Sequence, residues 1–233
     1  MKTQNPWPGK LNTLGRLLSS GVPISEVVDV GVRECTFELI RAFPGLHHQL
    51  FEPVSLFFDL IARNYGRIEH TLHPMALSDE NSDAYIVLSA LRRDGAVTHG
   101  HISSTPVEVD GQVIVECQPV PIRRFDDLDV SPADDYLLKV DVDGKDLNVL
   151  RGFGDKLESA SVVMVEATHS TLLERAGYLA GRGFELFDLV DLVYYGPSLY
   201  QLDAVFLRRD LSTESVRPPI GNFDPEKWRP LAE

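Results

Sequence analysis

Glu26-Val27-Val28-Asp29-Val30-Gly31 is the stretch on which the fold turns. Three valines in a short run closed by a glycine read as a buried strand that ends in a tight turn. The pattern recurs downstream. Residues 48–51 read as a second strand closed by Glu52-Pro53, and 68–77 as a third closed by Ser78-Asp79. Tyr136-Leu137-Leu138-Lys139-Val140-Asp141 is a fourth, ending in acidic residues. Residues 161–166, 184–189 and 202–207 complete the series. Between these runs the spacing is helical, over 36–43 up to Pro44-Gly45, over 56–64, over 145–157 and from about 170 to 182. Upstream, leucines at 11, 14, 17 and 18 place a helix within residues 1–22, stopped by Gly21. Strands alternating with helices predict an α/β fold with a mostly parallel, doubly wound sheet.

One segment breaks the alternation. Residues 84–90 and 107–120 carry alternating β-type residues with a turn at Asp110-Gly111, and a polar loop over 98–105 lies between them. They predict a small antiparallel β-hairpin insertion across residues 82–122. The last stretch, 212–233, holds four prolines and few apolar anchors. With no internal repeat, the 233 residues suit a single domain over 1–233.

Composition narrows the function. A chain with 43% hydrophobic and 24% charged residues has the balance of a globular protein. Acidic residues exceed basic ones by 35 − 22 = 13, a surface that repels phosphate backbones and anionic membranes, so neither is an expected partner. The two cysteines, Cys35 and Cys117, match no metal-binding spacing and suit a reducing compartment. The first residues lack the apolar run of a signal peptide, so the expected address is the cytoplasm. The insertion and an exposed sheet edge leave a homodimer open.

In open parallel sheets ligands bind beyond the carboxyl ends of the strands. Gly31 allows close backbone approach there, and the helix after it points N–H groups at the same place. Glu52, 21 residues on, stands where an acidic side chain can accept hydrogen bonds from the two hydroxyls of a ribose. Arg33 and Cys35 occupy positions where a nicotinamide fingerprint needs glycines, and no Tyr-x-x-x-Lys pair is present, which sets a nicotinamide oxidoreductase aside.

Taken in order, these segments resemble the FkbM family of methyltransferases. The resemblance rests on Val28-Asp29-Val30-Gly31, Glu38-Leu39, Ala42-Phe43-Pro44, Phe51-Glu52-Pro53 and Ala76-Leu77-Ser78-Asp79. It continues through Leu138-Lys139-Val140-Asp141-Val142-Asp143-Gly144 with Val149-Leu150-Arg151-Gly152, then Val165-Glu166, 183–188 and 201–206. It implies a Rossmann-like class I methyltransferase, with a seven-stranded sheet whose last strand is antiparallel. S-adenosylmethionine would lie over Asp29 and Gly31, with Glu52 on its ribose and Asp79 near its adenine. The implied activity is O-methylation of a small-molecule hydroxyl, on a sugar or a related metabolite. Two positions depart from the family pattern: Cys35 replaces a second glycine and would narrow the cleft, and Arg33 replaces a small polar residue. They feed an alternative reading, a degenerate methyltransferase fold kept as a cofactor-binding or interaction module.

Methylating a hydroxyl requires alignment of the acceptor oxygen and removal of its proton, or a metal or cation to stabilise the alkoxide. Lys139, Asp141 and Asp143 alternate and share one face if the strand is regular. Asp141 is the expected acceptor-side carboxylate, as base or as ligand of a divalent metal such as Mg²⁺. Lys139 is expected to stabilise an oxyanion or hold Asp141 ionised, with a structural ion pair as the plain alternative. His169, just past Val165-Glu166, is a second candidate base. His99 and His101 could serve a lid or join Asp141 at a metal. Tyr194, Tyr195 and Tyr200, around Gly196-Pro197, are expected to pack beneath a hairpin.

Overall fold

Long apolar runs bury both faces of a strand, and the computed structural model, which describes residues 9–90, 99–109 and 113–216, stacks those runs side by side. The turn at Asp110-Gly111 and most of the 212–233 segment lie outside the described residues. In chain order the strands are β1 (Val27–Val30), β2 (His48–Phe51), β3 (His70–His73), β4 (Ala76–Leu77), β5 (Ser82–Ser89), β6 (His99–Ser103), β7 (Ile114–Arg123), β8 (Tyr136–Val140), β9 (Ala160–Thr168), β10 (Phe184–Tyr195) and β11 (Ser198–Arg208). The helices are α1 (Lys10–Ser19), α2 (Phe37–Ala42), α3 (Phe58–Asn64), α4 (Asp146–Gly152) and α5 (Leu172–Gly181).

The main sheet has the order β10-β11-β9-β8-β1-β2-β3. The pairings of β1 with β2 and β8, β2 with β3, and β8 with β9 are parallel, whereas β11 runs antiparallel to both β9 and β10. The predicted α/β class and antiparallel last strand are both present. Alternate residues divide the sheet into two cores. Val28, Val30, Leu138 and Val140 face a cluster with Val149, Leu150 and Phe153 of the α4 region and Leu179 of α5. Val27, Leu137, Val162 and Met164 face the other way, onto Leu14 and Leu17 of α1 and Leu39 of α2. Leu50 continues that side beneath Ile61 and Tyr65 of α3 and its end. Of the four leucines that predicted α1, only Leu14 and Leu17 are buried; Leu11 and Leu18 are exposed.

The third strand and the insertion differ from expectation. The 68–77 run splits at Pro74, which has no N–H to continue a ladder. β3 stays in the main sheet, while β4 leaves it to pair in parallel with β7. The expected antiparallel pair is β5 and β7, and it belongs to a four-stranded sheet of order β4-β7-β5-β6. The fourth strand, β6, lies in what the sequence presented as a polar loop. His99-Gly100-His101-Ile102-Ser103 has one large apolar residue, and its strand form comes from the ladder to β5 rather than from its own pattern. The β10–β11 hairpin is also longer than the two short runs suggest, and its tip carries Tyr194, Tyr195 and Tyr200 into solvent instead of packing them.

Candidate active site

Three strand ends meet at one point. At Gly31 (φ +82°) a Cβ would lie 1.9 Å from the carbonyl oxygen of Asp141, so the turns after β1 and β8 are in backbone contact and only glycine fits. The Gly31 N–H donates to the Phe51 carbonyl at 3.0 Å, and the Asp141 N–H donates to the Val30 carbonyl at 3.0 Å. These bonds fix the ends of β1, β2 and β8 relative to one another.

Glu52 is 4% exposed at the end of β2. One carboxylate oxygen accepts from the Arg33 N–H at 2.6 Å and the other from the Val54 N–H at 2.8 Å. Burial pushes its pKa up to about 7, although the two backbone donors pull the other way. Arg33 is held at φ +55°, a left-handed conformation that costs a non-glycine residue about 1–2 kcal/mol and persists where its surroundings impose it. Its guanidinium stands over the Phe57 ring, 5.7 Å from the centroid.

Lys139, 4% exposed, lies under the same turns. Its ammonium is 3.4 Å from Asp29 Oδ1, 3.4 Å from Asp141 Oδ2 and 3.2 Å from the Gly31 carbonyl. Burial alone would lower its pKa; the carboxylates of Asp29, Asp141 and Asp203 more than offset this, and the net shift is upward. Lys139 is therefore a permanent cation joining β1 to the end of β8. Asp29 is wholly buried, whereas Asp141 reaches the surface of a cleft.

That cleft has a volume of about 390 Å³, within the usual size range of small-molecule sites. Its floor includes Gly31, Glu52 and Asp141, and its far wall is the second sheet, through Ile86, Leu88, Gly100 and Ile102. The insertion is thus the cover of the site. Polar contacts tie the cover to the floor: the Gly100 N–H donates to Asp143 Oδ2 at 3.4 Å, and the Gln118 side-chain amide of β7 donates to the Pro53 carbonyl at 2.7 Å. His101 and Lys145 also line the cleft. The sequence offered no spacing that would single out Phe57 or Lys145, because they stand just ahead of two unrelated helices, α3 and α4.

Other expected residues stand elsewhere. Asp79 does not line the cleft; its carboxylate accepts from Asn148 at 2.9 Å and Ser78 at 3.2 Å, and its pKa is lowered, first by the Asn148 bond. Neighbouring Leu77 does line it. His169 follows the end of β9, where its N–H donates to the Tyr200 carbonyl at 3.2 Å, and it too is outside the lining. Cys35 packs with Leu50 and Tyr65, so it takes no room from the cleft; burial pushes its thiol up to about 11. Of the two departures, only Arg33 lines the site. Among the described residues, no group of three or more His, Cys, Asp or Glu side chains is placed to hold a metal ion.

Beyond Asp141 lies a row of acids that the sequence did not assign. Asp146 is fully buried in an ion pair with Arg175 at 2.5 Å, which ties α4 to α5. Glu166 accepts from Gln201, and its pKa is pushed up to about 8, first by burial and then by Asp141, Asp146, Asp203 and Asp143. Asp203 is paired with Lys10 of α1 at 2.6 Å.

A parallel α/β sheet with a glycine turn, a buried acid on the next strand end and a covered cleft between them defines a nucleoside-cofactor enzyme. The methyltransferase FkbM domain matches residues 26–186, more than half of the chain, and the protein belongs to that family. It is a methyltransferase dependent on S-adenosylmethionine. Among solved structures, precorrin-6y C5,15-methyltransferase of Geobacter metallireducens is similar over 85% of this chain and 86% of that one, at 15% identity and a TM-score of 0.44. Ribosomal protein L11 methylase of Lactobacillus delbrueckii subsp. bulgaricus is similar over 84% and 76%, at 11% identity and 0.48. An rRNA methylase of Streptococcus thermophilus is similar over 84% and 93%, at 10% and 0.47. Likenesses this distant say nothing about the acceptor. None of the curated proteins compared with the chain by sequence matches it.

The residues present fit the methyl donor. Glu52 would accept from a ribose diol, and Phe51, Pro53 and Leu77 on the lining would give apolar surface to a purine. No helix among the described residues is long and apolar enough to cross a membrane.

Proposed function

We propose that the protein transfers a methyl group to a hydroxyl of a small molecule, a sugar or a related metabolite. The observation that carries this reading is the placement of Asp141: its carboxylate lines the cleft while Lys139 holds it from below. S-adenosylmethionine supplies a methyl group on a sulfonium, already activated toward in-line displacement. The protein's tasks are then to align the acceptor oxygen, exclude water and take one proton. Gly31 and Glu52 contact the donor, Asp29 supports them through Lys139, and Asp79 fixes the turn behind Leu77. Asp141 receives the acceptor's hydroxyl and its proton, and Lys139 is a positioning residue that pairs with the carboxylate at 3.4 Å. His169 is the second candidate base, reached by an acceptor that extends over the end of β9. The enclosed cleft and the chain's formal charge of −13 favour a small acceptor over nucleic acid. A cytoplasmic setting and a homodimer belong to the same proposal.

Calorimetric titration with S-adenosylmethionine and S-adenosylhomocysteine, with and without Mg²⁺, tests the donor side. Micromolar binding that Glu52→Ala abolishes is expected, and Mg²⁺ should not change it. The acceptor side is tested by methyl transfer from labelled donor to hydroxylated metabolites, with RNA as a parallel substrate. Transfer to RNA alone would overturn the small-molecule reading.

A further inference from the structure

The acids at the carboxyl edge of the main sheet stand in a row. Val140 pairs with Val165, so Asp141 and Glu166 follow side by side at the ends of β8 and β9, and Glu166 is paired across the next ladder with Asp203 of β11. Alternation puts all three on the α1 face. Lys139, which meets Asp141, is two residues past Leu137; Glu166 is two past Met164; Asp203 is two before Val205. Adjacent strands lie about 4.8 Å apart, so the three carboxylates are close neighbours. Their countercharges are unequal. Lys139 takes Asp141 at 3.4 Å, and Lys10 of α1 takes Asp203 Oδ2 at 2.6 Å. Among the described residues Glu166 pairs with no cation: its side chain accepts from the neutral amide of Gln201, and Arg175 of α5 donates to its backbone carbonyl. Asp143 and Asp146 add negative charge from the turn after β8 and from α4. Across the ladder, Asp203 Oδ1 is buried with no donor, on a side chain only 8% exposed. A half-buried glutamate without a cation, opposite a buried carboxylate that lacks a donor, is an arrangement that holds a proton.

We propose that Glu166 is the proton-exchanging residue of the methyl transfer: it releases a proton when the positively charged donor enters the cleft, and takes one back, through Asp141, from the acceptor hydroxyl. The inference rests on the assignment of the cleft to the donor and of Asp141 to the acceptor. A pKa pushed up to about 8 leaves Glu166 mostly neutral at pH 7 in the empty protein. A sulfonium beside Asp141 supplies the cation the row lacks, and the ionised form of Glu166 is then favoured. In the transfer itself the acceptor oxygen bonds the methyl carbon, the electron pair of the broken carbon–sulfur bond stays with sulfur, and the row takes the hydroxyl proton, Asp141 first and Glu166 last. With the sulfur neutral again, a protonated Glu166 is once more the favoured state, so the charge of the row follows the charge of the bound ligand. Glu166 does not line the cleft. It acts through Asp141 as a positioning residue for charge, with a pKa near the working pH, where a proton acceptor is most effective.

The test counts protons and needs no acceptor. S-adenosylmethionine and S-adenosylhomocysteine would be titrated calorimetrically into the full chain at pH 7, in phosphate and in Tris, whose different ionisation enthalpies report the protons exchanged on binding. The wild-type chain should release about one proton more with the sulfonium than with the thioether, and the affinity ratio of the two ligands should rise by up to about tenfold between pH 7 and 8. Glu166→Gln, which still accepts from Gln201, should abolish both effects; comparing it with the wild type cancels protons exchanged by the ligands' own amino groups. Glu166→Asp should keep part of the release. In the wild-type chain the difference should also vanish near pH 9.5, about 1.5 units above the folded pKa, where Glu166 is ionised beforehand. Equal release for the two ligands at pH 7, or a difference that persists in Glu166→Gln or at the higher pH, would each overturn the role of Glu166. If the wild-type chain binds neither ligand, the cleft assignment itself fails, and the inference with it.

Discussion

The two sheets of this protein are built to different standards. In the main sheet every residue of β8 is buried, as is β9 from Ala160 through Val165. In the second sheet β7 buries only Val120 and Ile122 of its ten residues, and its apolar cluster centres on Val54, Ile86, Leu88 and Val120. The first sheet sets the positions of Gly31, Glu52 and Asp141 through backbone hydrogen bonds and a buried cation. The second only covers them. The cleft's carboxylates thus stand on the layer with the more completely buried strands, and the layer with fewer buried residues covers them.

The contrast is most exposed at Lys139. Changing Lys139→Met leaves the carboxylate of Asp29 buried and uncompensated at the centre of the main sheet. Removing one partner of a buried pair costs about 3–5 kcal/mol, so the urea midpoint should fall sharply. The double variant Lys139→Met with Asp29→Leu removes the orphaned charge as well and should recover most of the loss. A single variant as stable as the wild type would mean that the main sheet is not tied together at this point.

A smaller effect separates the sheets directly. Leu138 and Leu88 are both almost fully buried, one in each sheet. Leu138→Ala should lower global stability by about 2–5 kcal/mol, the usual range for a truncated core leucine. Leu88→Ala should lower it less, and should instead speed hydrogen exchange selectively at the amides of β5 and β7, because the cover opens without unfolding the rest. Equal global losses with no selective exchange would show that the two sheets form one cooperative unit.

The same difference explains what the sequence revealed. Buried parallel strands are rich in apolar residues, so β1, β2, β8 and β9 were legible, and so was the place of Glu52 at the end of β2. β6 was not legible, because an edge strand whose partner supplies its ladder needs no apolar pattern of its own. The split of the third strand at Pro74 could have been read from the proline alone. Lys139 was legible as a charged residue in a buried strand; its partnership with Asp29 was not, because it depends on the register that sets Asp29 opposite Lys139. Asp79 and Cys35 stand off the lining of the cleft for a related reason. Spacing gives a residue's place along the chain, whereas rotamer and packing decide that Asp79 turns to Asn148 and Cys35 to Tyr65.

Glu52 extends the comparison to pH. Its folded pKa is about 7, against 4.5 for an unperturbed glutamate. The folded state therefore holds a proton that the unfolded chain has released between those values. The contribution of this group to stability is full below pH 4.5 and is lost as pH rises through 7. Donor binding has the opposite trend, because ribose hydroxyls donate to the ionised carboxylate. Affinity for S-adenosylhomocysteine should rise between pH 5.5 and 7, by at most about tenfold per unit, and level off above that. Glu52→Gln should flatten the profile. A wild-type affinity that is constant across this range would mean either that Glu52 stays ionised throughout or that it does not meet the ribose.

The smallest expected effect lies at the far end of the main sheet, where the rigid layer itself runs out. Along β11, Leu202 is fully buried, while Tyr200 is half exposed and Tyr195, across the hairpin tip, is 81% exposed. Tyr195 and Tyr200 are tilted against each other, with ring centroids 6.2 Å apart. An exposed aromatic pair of this kind adds little to stability, so Tyr195→Ser should change the unfolding free energy by less than about 0.5 kcal/mol. Donor affinity should not change either, since the tip lies outside the lining of the cleft. A loss of several kcal/mol in Tyr195→Ser would show that the hairpin tip is packed in solution. The boundary between rigid and covering layers would then have to be moved outward, past residues that are in solvent here.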